Sequence, residues 1–587
     1  MCGIFGYVGK QDEPAQKILE GLKTLEYRGY DSWGIAVVHD GKIAVDRHVG
    51  KIGDASTNLP SSSIGIGHTR WATHGGVTEA NAHPHLDSKG RIAVVHNGII
   101  ENYHLLRAEL KDKGHTFKSE TDTEVIAHLI AEELEKKDDL KEAVRITFKK
   151  LVGSNALAVL DLKSNQLAVC RDGSPIAIGV GEGINYIGSD VTPFLKYTKS
   201  VIFLDDGEGV ILDSDKVTVF NIETGEAMDR TPETLDWEAE DVKKDGYPHY
   251  LIKEIMEQKR TIAATASLNI EEMNKLAAMI GDGYKVVISA CGTAAYCGLA
   301  AQYFFASQNI QTSMYGSYEF LPFSKFIDKK TIFIAISQSG ETADTLIAAK
   351  AAKKQGAHLV AVVNARGSTL ERLSDTAISV GAGPEIAVIS TKAFTAQLSS
   401  LYLLASAAGG KLKEGQENIK NLGSILQTWI TKDLENSILE VSKSLVEKEH
   451  IYLIGKHLGY PAAMEVALKI KEISYIHSEA FAAGELKHGV IALIEEGTPC
   501  IALVSDDEVK DEVLSSTAEL KARGGKIIGI APANSPEFDI HIPIPDTKEL
   551  TIIPQVVVGQ LLAYYLAIGR GTDVDKPRNL AKSVTVK

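Results

Sequence analysis

The second half of the chain repeats itself, and this duplication limits the possible folds more than any other feature of the sequence. Segments 285–292 and 450–456 are short apolar runs that lead into helical patterns; 331–337 and 498–505 do the same, each ending on a serine. The strand-like run that follows recurs at 355–363 and 523–530. The pairs are offset by about 165 residues, which is domain-sized rather than the 20 to 50 residues of a solenoid repeat. Apolar runs alternating with helical patterns have the rhythm of parallel βαβ units. Two copies of one doubly wound α/β domain are predicted, at 275–414 and 446–577. Length alone allows three or four domains in 587 residues. The repeat and a different N-terminal third make it three.

The copies differ where chemistry would sit. In the first, a strand ends in Ser337-Gln338-Ser339-Gly340-Glu341-Thr342, hydroxyls and a glycine at a helix N-terminus. Free N–H groups and the helix dipole favour a phosphate there. The equivalent run in the second copy is Ser505-Asp506-Asp507-Glu508, whose carboxylates repel one. Only the first copy is expected to bind phosphate. The second offers Glu465, Lys469 and Glu472 on one helical face, a pattern that an exposed salt-bridge ladder would also produce. An irregular stretch, 479–489, follows it with Glu485, Lys487 and His488. The chain closes on 578–587, which contains Lys582.

Residues 2–221 read differently. Short Val, Ile and Ala runs separated by Gly, Asp and Asn turns predict strands at 35–38, 43–45, 64–67, 92–95, 156–160, 167–170 and 201–204. Asp40-Gly41 fits a two-residue hairpin turn. Helical patterns cover 15–25 and 123–134. This is an α+β domain with mostly antiparallel sheet. Polar clusters punctuate it at 2–4, 26–32, 68–75, 96–102 and 119–124. If Met1 is removed, Cys2 carries a thiol and a free α-amine on one residue, and an amine of pKa about 8 can serve as base for its own nucleophile. Asn97 and Gly98 can donate a side-chain amide and a backbone N–H to a tetrahedral oxyanion. Arg70 can pair bidentately with a carboxylate, and Asp122 can hold an α-ammonium. Together they would recognise an α-amino acid and attack its side-chain amide.

Composition narrows the function classes. With 62 Lys and Arg against 77 Asp and Glu, the formal charge of −15 gives no long-range attraction for nucleic acid or an anionic membrane. The apolar stretch around 561–568 falls short of the ~18 to 20 residues of a membrane span, so none is expected. The first residues lack the basic start and apolar core of a secretory signal, which points to the cytoplasm. Five cysteines without a Cys-x-x-Cys pair argue against a disulfide framework or a zinc site. Four of them read as buried thiols. Residues 222–250 are acidic and aperiodic, a linker composition.

The clusters of the N-terminal segment resemble the glutaminase domain of the N-terminal-nucleophile (class II) glutamine amidotransferases. The resemblance implies that Cys2 is the nucleophile and that Asn97 and Gly98 form the oxyanion hole. Arg70, Thr73, His74 and Asp122 would bind L-glutamine, and Trp71 would gate the exit of ammonia. The duplicated half resembles paired SIS (sugar isomerase) domains. Joined in one chain, the two parts resemble the isomerizing glutamine:fructose-6-phosphate aminotransferase family, from Cys2 to the tail motif 577–586. That implies that Thr293, Ser337, Gln338, Ser339, Thr342 and Ser390 bind D-fructose 6-phosphate, and that Lys582 forms a Schiff base with its C2 carbonyl. Glu472 would carry the proton between C1 and C2 with help from Lys469. His488 would open the sugar ring from the neighbouring subunit of a homodimer. Ala294 replaces a serine common in the family and removes one hydroxyl contact. No metal or organic cofactor is implied.

Overall fold

A computed structural model describes residues 2–235 and 244–585. The chain divides into two compact units, Met1–Lys243 with Ser583–Lys587, and Lys244–Lys582.

The first unit is built on two antiparallel sheets. One has eight strands in the order Glu233–Thr234, Ser200–Phe203, Ala177–Val180, Ile184–Gly188, Gly3–Glu13, Ser62–Arg70, Ser32–His39, Lys42–Val49. The other has seven, in the order Ala227–Met228, Val217–Asn221, Glu208–Leu212, Gln166–Asp172, Asn155–Asp161, Ile92–Gly98, His85–Leu86. Alternation along each strand sends one set of side chains between the sheets, where Ile4, Val8, Ile66 and Ile187 of the first meet Val95, Ala158 and Val169 of the second. On its other face the seven-stranded sheet packs Ile92 and Val94 against Val125, Ile126 and Val144 of helices Glu124–Lys136 and Leu140–Phe148. The Asp40-Gly41 hairpin forms as its residues require: both have positive φ (47° and 70°), and His39 pairs with Lys42 across the turn. Residues 222–235, linker-like in composition, still supply two short edge strands, because backbone pairing needs no apolar side chain. The acidic stretch 236–243 lies outside the described residues.

The second unit carries the duplication. Its two parallel five-stranded sheets have the same order: Thr312–Gly316, Lys285–Ala290, Thr331–Ser337, His358–Val363, Thr376–Ser379, and His477–Ala482, His450–Gly455, Pro499–Leu503, Lys526–Ala531, Ile540–Pro543. The copies share one core, in which Ile288, Ile334 and Phe394 from the first and Leu453, Ile470 and Leu561 from the second belong to a single buried cluster. Two helices apolar all round lie inside it, Lys392–Ala408 and Ile552–Gly569. The second corrects a sequence expectation. Lys548–Gly569 runs 22 residues and contains an 18-residue stretch of mean hydropathy 1.6, long and apolar enough to cross a membrane, yet 83% of that stretch is buried in the protein. Its glutamines are used inside: Gln560 accepts from Gln258 at 2.8 Å, and Gln555 donates to Ser505 at 3.3 Å.

Candidate active sites

The first site lies where the strand Gly3–Glu13 begins. That strand pairs with Ser62–Arg70, Gly3 opposite Thr69, which sets Cys2 beside the turn after Arg70. The Trp71 N–H donates to Cys2 Sγ at 3.2 Å, and the thiol is 3.6 Å from the Trp71 carbonyl. Asp31 shapes this turn by accepting from the Ala72 N–H at 2.8 Å. Burial pushes the Cys2 thiol upward, so it needs a nearby base to become a nucleophile.

Asn97 is the penultimate residue of the strand Ile92–Gly98, and its Nδ2 donates to the Cys2 carbonyl at 3.0 Å. A buried histidine fixes its orientation. His68 Nε2 lies 3.0 Å from the His96 carbonyl and 3.1 Å from Asn97 Oδ1. Both are acceptors, so Nε2 carries the proton, and the Asn97 oxygen is turned to His68 and its NH2 to Cys2. Burial pulls the His68 pKa down to about 3, which keeps the ring neutral. Gly98 is required as glycine: φ is +140°, and a Cβ would lie 2.0 Å from the Ser154 carbonyl oxygen.

Asp122 is buried and accepts from the Ile100 N–H at 2.8 Å, which ties it to the segment just past Gly98. Arg70 is also buried, but its guanidinium is engaged by the loop that follows it. Nη1 donates to the Gly76 carbonyl at 3.1 Å, and Nη2 donates to the carbonyls of Gly75, at 3.2 Å, and His74. A carboxylate taking a bidentate grip there would displace loop carbonyls. Thr73 is exposed, and His74 packs edge-on against Tyr103 at 5.1 Å. Trp71 packs edge-on against Tyr30 at 5.7 Å.

In the second unit, the loop after Thr331–Ser337 folds on its own hydroxyls. Ser337 Oγ accepts from the Gly340 N–H at 3.0 Å and lies 3.0 Å from Thr342 Oγ1; Ser339 Oγ accepts from Glu341 N–H at 3.2 Å. Helix Ala343–Lys354 starts here, with no side-chain cap from Thr342. Its first N–H groups are therefore available to an anion. Gly340 has φ +63°, and a Cβ there would come within 2.1 Å of Ser368 Oγ. In the second copy Asp507 takes the Val509 N–H at 3.1 Å, and Asp506 and Glu508 pair with Lys510 and His457. The carboxylates of this loop are thus engaged by a backbone N–H and by neighbouring basic side chains.

The face carrying Glu465, Lys469 and Glu472 is not an exposed ladder. Helix Gly459–Ser474 presents it inward, with Glu465 and Lys469 fully buried. Lys469 Nζ donates to Glu472 at 2.7 Å and to Thr293 Oγ1 at 2.9 Å, and lies 3.4 Å from Glu465. The first copy's Thr293 thus joins the second copy's helix. Burial pushes the Glu465 carboxyl up to about 8, so at neutral pH the ammonium pairs ionically with Glu472 alone.

The side chain of Lys582, ordinarily in solvent so near a chain end, is buried. Its Nζ donates to Glu385 Oε2 at 2.6 Å and to the Ala387 carbonyl at 2.8 Å, and Ser390 Oγ donates to the same Glu385 oxygen at 3.2 Å. Sequence reasoning missed Glu385, since nothing in its neighbours sets it apart from a surface glutamate. His488 is exposed at the end of the 3₁₀ turn Ala483–His488, and no hydrogen bond joins it to Lys469 or Glu472 among the described residues.

Comparison with known proteins bears on both sites. Residues 1–202 match the glutamine amidotransferase domain family, and 279–407 and 444–568 each match the SIS domain family. Glutamine–fructose-6-phosphate aminotransferases [isomerizing] of Thermococcus kodakarensis and Aquifex aeolicus are each 43% identical, over the full length of both chains. Among solved structures, the C-terminal domain of glucosamine-fructose-6-phosphate aminotransferase from Francisella tularensis aligns at 35% identity with a TM-score of 0.53. It covers 57% of this chain and is itself covered completely.

Proposed function

The chain belongs to the isomerizing glutamine–fructose-6-phosphate aminotransferases, and from that premise we propose how its own residues divide the reaction. The overall conversion is D-fructose 6-phosphate plus L-glutamine to D-glucosamine 6-phosphate plus L-glutamate, the entry into amino-sugar synthesis. The observation that carries the assignment is one chain holding both a thiol beside an oriented amide donor, Cys2 with Asn97, and an uncapped hydroxyl loop at 337–342.

At the first site, the Cys2 α-amine, freed by loss of Met1, takes the thiol proton. The thiolate then adds to the glutamine amide carbon, and Asn97 Nδ2 and the Gly98 N–H receive the oxyanion. Collapse gives a thioester and ammonia, and water releases glutamate. Arg70, Thr73, His74 and Asp122 hold the amino-acid end, and Trp71 controls where ammonia leaves. Ammonia in bulk water at neutral pH is mostly ammonium and no nucleophile, so its route is shielded.

At the second site, Ser337, Gln338, Ser339 and Thr342 hold the phosphate, and Thr293 and Ser390 contact the sugar. Lys582 condenses with the C2 carbonyl. Glu472, with Lys469 at 2.7 Å, moves the proton between C1 and C2. The exposure of His488 suits a residue that opens the ring in the partner subunit of a homodimer. No metal or organic cofactor enters the scheme.

Incubation with glutamine and fructose 6-phosphate tests the whole; failure to form an amino-sugar phosphate refutes it. Cys2→Ala is expected to lose glutamine-dependent synthesis and keep sugar-phosphate isomerisation, whereas Lys582→Arg is expected to lose both synthesis and isomerisation and keep glutamine hydrolysis. Retained Met1 in the mass of the active protein would remove the proposed base.

A further inference from the structure

Glu385 is a buried carboxylate that four donors hold as an anion. Oε1 accepts the Thr391 and Ala393 N–H groups at 2.8 and 3.0 Å, at the start of helix Lys392–Ala408. Oε2 accepts Lys582 Nζ and Ser390 Oγ; the Glu385 side chain is 0% exposed and that of Lys582 5%. Burial alone would raise its pKa, but Lys582 and the helix N–H groups outweigh burial and hold it below the usual carboxylate range.

The surrounding charges leave that pair to itself. Glu254, on helix Tyr250–Thr265, accepts from the Ile386 and Ala387 N–H groups, and burial pushes it up to about 8. It is therefore neutral at pH 7. Lys392 pairs with Glu257 at 2.5 Å, and Lys253 with Asp245 at 2.9 Å. Glu385 and Lys582 thus form a one-to-one ion pair.

We infer that Glu385 is the counter-ion of the Lys582 Schiff base and the carboxylate that shuttles its proton. This rests on the reading of Lys582 as the Schiff-base residue. The atoms balance without a change of charge at nitrogen: the ammonium and the C2 ketone give an iminium and one water. Glu385 takes one N–H proton so that the amine can add to C2. A second N–H proton passes to the C2 oxygen on addition, and Glu385 returns the first to the hydroxyl so formed, which leaves as water once nitrogen's lone pair forms the C=N bond. The cation on nitrogen before and after is the same, so one fixed anion serves both. An iminium kept protonated draws electrons from C2 and acidifies C1–H, the proton assigned to Glu472.

The test is reduction by cyanoborohydride, which reduces the protonated imine, with fructose 6-phosphate present and the Lys582 adduct measured by mass. The wild type is expected to be trapped across pH 6 to 8. Glu385→Gln is expected to be trapped more than about tenfold more slowly at pH 8 and to recover toward pH 6, because an imine without its anion titrates lower. Glu385→Asp should restore much of the trapping at pH 8. No adduct in the wild type would refute the reading of Lys582 itself. A wild-type rate and pH profile in Glu385→Gln would overturn the role of Glu385 alone. Should Glu385→Gln fail to bind fructose 6-phosphate by calorimetry, Glu385→Asp decides: sugar binding with no trapping at pH 8 also overturns the proposal.

Discussion

Replacing Glu465 by glutamine should stabilise the protein, by an amount that grows with pH. The carboxyl is fully buried, its Oε2 has no hydrogen-bond partner, and Lys469 Nζ is held more tightly by Glu472, at 2.7 Å, than by Glu465, at 3.4 Å. Burial therefore wins, and the folded-state pKa rises from 4.5 to about 8. Between those values the folded chain keeps a proton that the unfolded chain has released, so wild-type stability falls as pH rises. Glutamine has the shape of the protonated acid and no such proton to hold. At ~1.4 kcal/mol per pH unit, the interval from 4.5 to about 8 sets a ceiling of roughly 4 to 5 kcal/mol, reached near pH 8 and flat above it. Glu254 is also raised to about 8 and titrates alike in both proteins, so it cancels from the difference.

The assay is scanning calorimetry of the full-length variant and wild type from pH 5 to 8.5, read as the difference in Tm. At roughly one to two degrees per kcal/mol for a unit of this size, the variant should gain roughly 2 to 4 °C at pH 6 and about twice that at pH 8. A difference that is negative, or that does not change between pH 5 and 8, would mean that Glu465 is ionised in the fold and paired with Lys469. The division of charge in this cluster would then be wrong.

Lys469→Met leaves two carboxyls facing each other without their cation and should cost about 3 to 5 kcal/mol at pH 8 by the same calorimetry; adding Glu465→Gln should recover part of it. His68→Leu removes the group that turns the Asn97 amide toward Cys2, so kcat for glutamine hydrolysis should fall about 100-fold with little change in KM. His68→Gln, which can still offer an N–H to Asn97 Oδ1, should keep most of the rate, and equal losses in both variants would show that the ring acts only through packing. Gly340→Ala meets a left-handed backbone and Ser368 Oγ at 2.1 Å, and should cost about 2 to 3 kcal/mol. Its KM for fructose 6-phosphate should rise tenfold or more, while glutamine hydrolysis stays unchanged.

Some of this architecture could be read directly because local chemistry decided it. Asp40-Gly41 announces a turn that needs two positive φ values, and the hydroxyls of 337–342 against the carboxylates of 505–508 announce unequal copies. The strand Gly3–Glu13 escaped notice for a physical reason. Its Gly3, Gly6 and Gly9 break the apolar alternation, yet each sits where a Cβ would press on a neighbouring strand: Thr69 Oγ1 at 2.5 Å, the Gly65 carbonyl oxygen at 2.7 Å, Ile184 at 3.1 Å. A central strand squeezed from both sides selects glycine, and glycine is what sequence reading takes for a loop.

The ionisable groups were hidden more deeply. Glu254, Glu385 and Glu465 are all buried, and in the sequence each looks like any surface glutamate. The fold gives them different states. Glu385 receives an ammonium, a hydroxyl and two helix N–H groups and stays an anion, while Glu254 and Glu465 receive less than burial takes away and hold their protons at pH 7. The formal charge of −15 counts all three as ionised and so overstates the acidity by two at these positions alone. Charge summed over the sequence bears on the long-range field of the chain. It was no guide to the sugar site, where the proposed chemistry turns on a single anion kept charged and its neighbours kept neutral.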